Sequence, residues 1–276
     1  MGSNRPALIL LGFALVGAAV GGGGCRARRL LPPPVVAPLV LPSAEELLAR
    51  LDRERKRLSG LRTLADTEIT GSEGEVRASE VLLVEPPMRL RIEVLSMFGV
   101  AWILATDGEV LDVYSREDDT IYRGRPTPEL IADYLPVPLA LHELTELLLG
   151  RPPPRDVVEH GGVAWEPETG FVRLTLRLQG GGTETIWFDG ATGLLMRCED
   201  RGLDGELRFD LRIKAYRDVS GELLSSDLTI AGPGAVHVRL AYARSQLNPV
   251  LSDDLFRLTH VLGAAEMPLD RPGGLP

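Results

Sequence analysis

The feature that most limits how this chain can fold is a regular alternation of apolar and polar side chains, which begins near residue 65 and recurs towards the C-terminus. In "FVRLTLRL" (171–178), every second residue is Val or Leu, and two of the residues between them are Arg. The segment "MRLRIEV" (88–94) repeats the pattern. Successive side chains of a β-strand point to opposite faces, so each segment has one dry face and one wet face. Segments of this kind predict an antiparallel sheet of about 10–11 strands.

Helical patterns precede and interrupt the strands. Ser43 and Glu46 form a capping-box pattern in front of an amphipathic helix that is predicted to extend to about residue 60. Thr127 is a predicted N-cap for the short segment "ELIADYL". A second helix of this insert is predicted over roughly 138–149, where a glycine and three prolines end it.

A sheet this wide needs a cover for its apolar face. The predicted fold class is therefore α+β, a strongly curved antiparallel half-open β-barrel with helices covering its concave face. No change in composition divides residues 43–262, which are predicted to form one domain. Residues 263–276 are predicted to be a flexible C-terminal tail.

The N-terminal segment has the pattern of an export signal, and residues 1–24 are predicted to be a signal peptide. Arg5 precedes the apolar run "PALILLGFALVGAAV" (6–20), which is too short to span a bilayer comfortably, and "GGGG" then leads to Cys25. This ending resembles the lipobox of bacterial lipoproteins, although Gly22 stands where that motif usually has Leu. The resemblance implies that Cys25 is acylated. An ordinary secretory signal with an incidental cysteine is the alternative.

Residues 25–42 are rich in proline and are predicted to be a lipid-anchored tether. Proline favours an extended, semi-rigid chain, which would hold the folded domain away from the membrane. Arg26, rather than Asp, follows the cysteine, and by resemblance to enterobacterial sorting this does not mark retention at the inner membrane. A disordered tail without a role is the alternative interpretation.

Composition and motifs argue against several classes of function. The formal net charge is −9, and binding nucleic-acid phosphates requires a basic surface, so no nucleic-acid partner is expected. No G-x-S-x-G elbow, P-loop or G-x-G-x-x-G motif occurs, and "HELTE" (142–146) lacks the second His of a zincin helix. We therefore predict no enzymatic activity, no catalytic residue, no metal site and no cofactor. A hydrolase built from dispersed residues is the weakest alternative, since triads need not be adjacent in sequence.

The turn within "EVLSMFGVAW" (93–102) is unusually apolar. It lies between two predicted strands, where Gly, Asn, Asp, Ser and Pro normally predominate. Met97 and Phe98 occupy its tip, directly before Gly99. Leaving such side chains in water forfeits about 1.5–3 kcal/mol each relative to burial. A membrane, a protein partner or the chain's own helical insert could cover them.

Three stretches resemble the LolA/LolB lipoprotein-carrier superfamily, and most of all the LolB family of outer-membrane lipoprotein receptors. "PPMRLRIEVLSMFGVAWILATDGEVLDV" (86–113) is similar to the LolB segment in which a strand enters a short apolar loop that ends in Gly. "TPELIADYLPVPLALHELTELLLGRP" (127–152) resembles the LolB helical insert. "LNPVLSDDLFRL" (247–258) resembles the C-terminal pattern of related lipoprotein-sorting proteins. The chain is longer than a typical LolB.

The resemblance implies a half-barrel whose apolar cavity holds acyl chains. It assigns Met97, Phe98 and Gly99 to a loop that contacts the membrane, because the family's exposed Leu falls on Phe98. Side chains on the dry strand faces and on the helical insert are predicted to line the cavity or its lid: Leu90, Ile92, Val94, Trp102, Leu130, Leu144 and Leu148. For Trp102 the outer surface is the alternative.

The predicted function is that of a monomeric lipoprotein, anchored in the outer membrane and facing the periplasm, that receives or inserts lipoproteins or lipids there. The expected partners are lipid acyl chains or lipoproteins, together with a periplasmic LolA-like carrier. The alternative is an assembly or sensor protein that uses the same fold to bind a protein partner. Met97 and Phe98 would then be the hot spot of a protein interface.

Overall fold

Fourteen strands pair into one sheet in the part of the chain that a computed structural model describes, namely residues 40–72, 74–135, 137–259 and 264–269. The predicted signal peptide, the predicted acylation site Cys25 and most of the predicted tether lie outside these ranges. The strands are β1 (Leu61–Gly71), β2 (Gly74–Glu85), β3 (Arg89–Ser96), β4 (Gly99–Thr106), β5 (Leu111–Ser115), β6 (Thr120–Gly124), β7 (Val157–Glu166), β8 (Phe171–Leu178), β9 (Thr183–Asp189), β10 (Leu195–Arg201), β11 (Leu207–Val219), β12 (Glu222–Ala231), β13 (His237–Leu247) and β14 (Ala265–Pro268).

The strand order is β14-β6-β5-β4-β3-β2-β1-β13-β12-β11-β10-β9-β8-β7. Neighbouring strands are antiparallel, except that β14 pairs in parallel with β6. The sheet does not close, since β14 and β7 are its two outermost strands. The predicted fold class, an open antiparallel barrel-like sheet with helices, is confirmed.

The sheet has more strands than the predicted 10–11, because some strands lack regular alternation. β7 contains two adjacent glycines, and the first half of β2 is exposed on both faces. β14 is only four residues long and falls in the segment 263–276, which was expected to be flexible. That expectation is wrong for Ala265–Pro268, because these residues form an edge strand on β6.

Three helices occur in the described ranges: α1 (Ala44–Arg57), α2 (Pro128–Tyr134) and α3 (Leu141–Leu148). The predicted capping box of α1 is present, with the Ser43 side chain accepting from the Glu46 backbone and the Glu46 carboxylate accepting from the Ser43 backbone. Thr127 caps α2 as predicted. α1 and α3 are each shorter than predicted, since the leucine spacing of α1 continues into β1.

α3 is packed into the concave side of the sheet, and all of its residues except His142 are buried. Its polar groups have partners in distant segments. The Tyr242 hydroxyl donates to the Leu148 carbonyl at 2.6 Å, and the Thr145 hydroxyl donates to the Pro87 carbonyl at 2.9 Å. Buried polar groups need such partners, so these bonds fix the helix against both the β2–β3 connection and β13.

Candidate functional site

An apolar cavity of about 730 Å³ lies between the sheet and the α2–α3 insert. This volume falls within the range typical of small-molecule sites, about 300–1,000 Å³. Strands β1 to β5, β12 and β13 form its wall, and α2, α3 and the segment between them form its cover. Most of its lining is apolar, and includes Ile69, Val76, Ala78, Leu82, Ala101, Leu135, Val137, Ile230, Val238 and Leu240.

The structure brings together most of the side chains predicted to line a cavity. Five of the seven do so: Ile92, Val94, Trp102, Leu144 and Leu148. Leu90 is fully buried in the core and does not reach the cavity. Leu130 lies in a separate shallow pocket, beside Gly124 and Leu269. Alternation therefore identified the dry face of β3. It could not predict how deep Leu90 lies along that strand, or how α2 is rotated about its axis at Leu130, because both depend on tertiary packing.

The cavity extends to one end of the strands, where the β1–β2, β3–β4 and β5–β6 turns lie; this side of the sheet is called the turn-bearing edge. These turns share one edge because consecutive strands are antiparallel. Ile69 and Val76, paired near the β1–β2 turn, line the cavity, and Val76 is 63% exposed. Arg116 and Glu117 of the β5–β6 turn line it as well. The mouth of the cavity is therefore at the turn-bearing edge.

Met97 and Phe98 form the β3–β4 turn at the turn-bearing edge, with 88% and 76% of their surfaces exposed. Gly99 follows with a φ of 104°, a conformation that side-chain-bearing residues rarely adopt. The Ser96 hydroxyl donates to the Gly99 carbonyl at 2.8 Å, and Arg116 donates to the Phe98 carbonyl. The turn is thus an ordered apolar tip beside the cavity mouth. The alternative in which it folds beneath the helical insert is wrong.

Solved structures resemble this architecture, although no protein-family model matches the chain and no curated protein matches it either. A LolA superfamily protein from Nitrosomonas europaea aligns with a TM-score of 0.51 at 12% identity, over 79% of this chain and 99% of that one. This chain has the fold of the LolA superfamily. A domain described as an outer membrane lipoprotein-sorting protein, from Vibrio parahaemolyticus, gives a TM-score of 0.53 at 8% identity. That alignment covers 76% of this chain and 94% of the other.

A DUF1329 family protein from Desulfovibrio piger also aligns with this chain, with a TM-score of 0.51 and 12% identity. The alignment covers 76% of this chain and 94% of that one. At such low identities the similarity is one of fold. Within the described ranges of this chain, none of the helices combines the length and the hydropathy needed to cross a bilayer.

One carboxyl group lies in the mostly apolar wall below the cavity mouth. Glu80 is buried, and its Oε2 accepts a hydrogen bond from the Thr67 hydroxyl at 2.9 Å. Burial raises the pKa of Glu80 above its ordinary value, and the Thr67 hydrogen bond partly opposes this. The indole Nε1 of Trp102 is also buried, without a hydrogen-bond partner in the described ranges. Sequence patterns missed Glu80, because β2 carries apolar residues on both faces around it.

A second polar cluster lies away from the cavity, where the start of α3 meets β9 and β10. Arg155 bonds Glu143 of α3 and Asp200 of β10, at 2.6 Å each. Burial raises the pKa of Glu184 to about 7, with the Arg155 guanidinium opposing that shift. The Cys198 thiol donates to Glu184 at 3.6 Å, and burial raises its pKa as well. A buried thiol with a raised pKa is a poor nucleophile.

Proposed function

We propose that the protein binds the acyl chains of lipids or lipoproteins in this cavity and transfers them at the outer membrane. The observation that carries the proposal is the position of the Met97–Phe98 tip, an ordered and exposed apolar turn beside the mouth of an apolar cavity. In this proposal the protein binds its ligand without converting it. Cys25 anchors it through acyl chains, and a periplasmic carrier of the same fold delivers the cargo.

Energetics support contact between the tip and a bilayer. Each of the two side chains regains about 1.5–3 kcal/mol when it leaves water for an apolar environment. Contact between the tip and the bilayer would place the cavity mouth at the membrane surface. An acyl chain could then pass between the cavity and the bilayer with little exposure to water. One of the similar structures is described as a lipoprotein-sorting domain, which supports the part of this proposal that concerns lipoproteins.

Vesicle co-flotation tests the proposal, using phosphatidylethanolamine–phosphatidylglycerol vesicles and protein that carries Cys25→Ser, so that no anchor masks the tip. Phe98→Glu is expected to lower the vesicle-bound fraction about tenfold or more, because it puts a charge where the apolar side chain would insert. Val250→Glu is the matched control. Val250 is fully exposed, and it follows β13 at the opposite edge of the sheet.

Equal vesicle binding by the parent protein and Phe98→Glu would contradict membrane contact by the tip. If Phe98→Glu instead abolished capture of a periplasmic protein without changing vesicle binding, the assembly or sensor alternative would replace the proposal. An equal loss in Val250→Glu would show that any added charge weakens binding, and would also contradict a specific role for the tip.

A further inference from the structure

One row of paired residues places polar groups within the mostly apolar cavity wall. Glu80 pairs with Val94, Val94 with Trp102, and Trp102 with Ser115, so these four residues form a row across β2 to β5. Directly paired residues of neighbouring strands share a face of the sheet. All four line the cavity, and the row therefore places a carboxyl, an indole N–H and a hydroxyl in line across its wall.

On β2 the polar row lies part-way down the cavity, whereas at its other end Ser115 directly precedes the β5–β6 turn. Val76, exposed at the mouth, precedes Glu80 by four residues on β2, which corresponds to about 13 Å along the strand. Ala78 lies between them, and Leu82 lies beyond Glu80 towards the closed end. Leu144, Leu148 and Leu240 complete the apolar lining. An acyl chain with its head group at the mouth would pass the row near the middle of its length.

Glu80 is incompletely paired for a buried carboxyl group. The Thr67 hydroxyl bonds one of its oxygens, and no side-chain or backbone donor among the described residues bonds the other. A plain alkyl chain that displaced water from the cavity would leave this oxygen without a partner, which is costly. A chain bearing a hydroxyl group at this depth would supply one. The hydroxyl can donate to an ionised Glu80 or accept from a protonated one.

We infer that the cavity selects amphiphiles that carry a hydroxyl group part-way along an apolar chain, with Glu80 as the specificity-determining residue. The inference rests on the proposed function, since it presumes that the cavity binds acyl chains. It goes further by naming a chemical class of ligand. Selection arises because the hydroxyl group of the hydroxylated chain bonds the Glu80 carboxyl group, whereas a plain chain leaves one of its oxygens without a hydrogen-bond partner.

Competition binding on the full-length protein tests this inference. Octadecanoic acid and 12-hydroxyoctadecanoic acid serve as matched probes, and each displaces a fluorescent fatty acid. The parent protein is expected to bind the hydroxylated acid about tenfold more tightly, the effect of satisfying one buried polar group. Glu80→Leu is expected to abolish the preference, and Glu80→Gln, whose amide can also bond a hydroxyl, to keep it. Glu206→Gln, which alters an exposed carboxyl group outside the cavity, is the control and keeps it too.

The outcomes separate this inference from the proposed function. Equal affinities of the parent protein for the two acids overturn the inference alone, as does a preference that survives in Glu80→Leu or disappears in Glu80→Gln. Failure of the parent protein to bind either acid overturns the proposed function instead. Thermal unfolding of each variant establishes that it is folded before its affinities are compared.

Discussion

Glu184 shows how strongly one buried side chain can couple the stability of this protein to pH. It lies within the sheet, and burial raises its pKa to about 7 from an ordinary value of 4.5. The folded state therefore binds a proton more tightly than the unfolded state does. The resulting stabilisation is fully present below pH 4.5 and is lost as the pH rises through about 7.

We expect Glu184→Gln to be more stable than the parent protein at pH 8, by up to about 3 kcal/mol, because the amide imitates the protonated carboxyl at every pH. At pH 4.5 the two should be equally stable. Urea unfolding at both pH values measures the difference, with exposed Glu206→Gln as the control. The comparison isolates Glu184 from Glu143 and Asp210, whose lowered pKa values act in the opposite direction. A difference that does not change with pH would contradict this account.

At the scale of single residues, the sequence predicted the exposed tip better than the buried polar groups. Met97 and Phe98 stand out because a hairpin turn offers large apolar side chains nothing to pack against. Glu80 gives no such signal. It belongs to "SEVLLVE", where both faces of the strand are apolar, and its burial depends on strands β1 and β3 that pair beside it.

Among the elements, α3 is a fixed support of the cavity. Arg151, which follows it, bonds Glu146 of α3 and donates to the Leu58 and Glu54 carbonyls at the end of α1, at 2.6 and 3.1 Å. Arg151 and Glu146 are both buried. One guanidinium therefore joins two helices. It bonds the carbonyl of Leu58, the C-cap residue of α1, and that of Glu54, which also accepts from the Leu58 backbone N–H.

We expect Arg151→Met to destabilise the protein by about 3–5 kcal/mol, because it leaves the Glu146 carboxylate buried and unpaired. Equilibrium urea unfolding measures the loss. Arg177→Met, at an exposed arginine of β8, serves as the control and should change stability by less than about 1 kcal/mol. A loss as small in Arg151→Met as in the control would show that Arg151 does not join the helices as described.

The sequence predicted the helices as elements but could not predict how they are held. Ser43 with Glu46 and Thr127 are local signals, and both caps are present. The wide apolar surface of the 138–149 segment indicated deep burial, which α3 shows. The Tyr242 hydroxyl, which bonds the Leu148 carbonyl, lies 94 residues further along the chain, and the Pro87 carbonyl, which bonds Thr145, lies 58 residues earlier. Only the folded topology brings these groups together.

For the molecule as a whole, alternation was enough to predict an open antiparallel sheet with a helical cover, because each amphipathic strand needs the same dry space. The cavity could be expected only in outline. Its wall includes Leu82 of β2 and Leu240 of β13. These residues come together only because β1 pairs with β13, which is distant in sequence. Strand order over such distances is not encoded in any local pattern.

The central claim is that this cavity holds acyl chains, and lipid analysis of the full-length protein purified from cells tests it most directly. Lipids that co-purify non-covalently are identified by mass spectrometry. The comparison variants are Ala78→Trp with Ala101→Trp, which fill the cavity, and Ala241→Trp with Ala243→Trp on the opposite face of the sheet. We predict bound acyl lipids in the parent protein and in the second variant, and their loss in the first. A parent protein free of lipid, or equal lipid content in the cavity-filled variant, would contradict the claim.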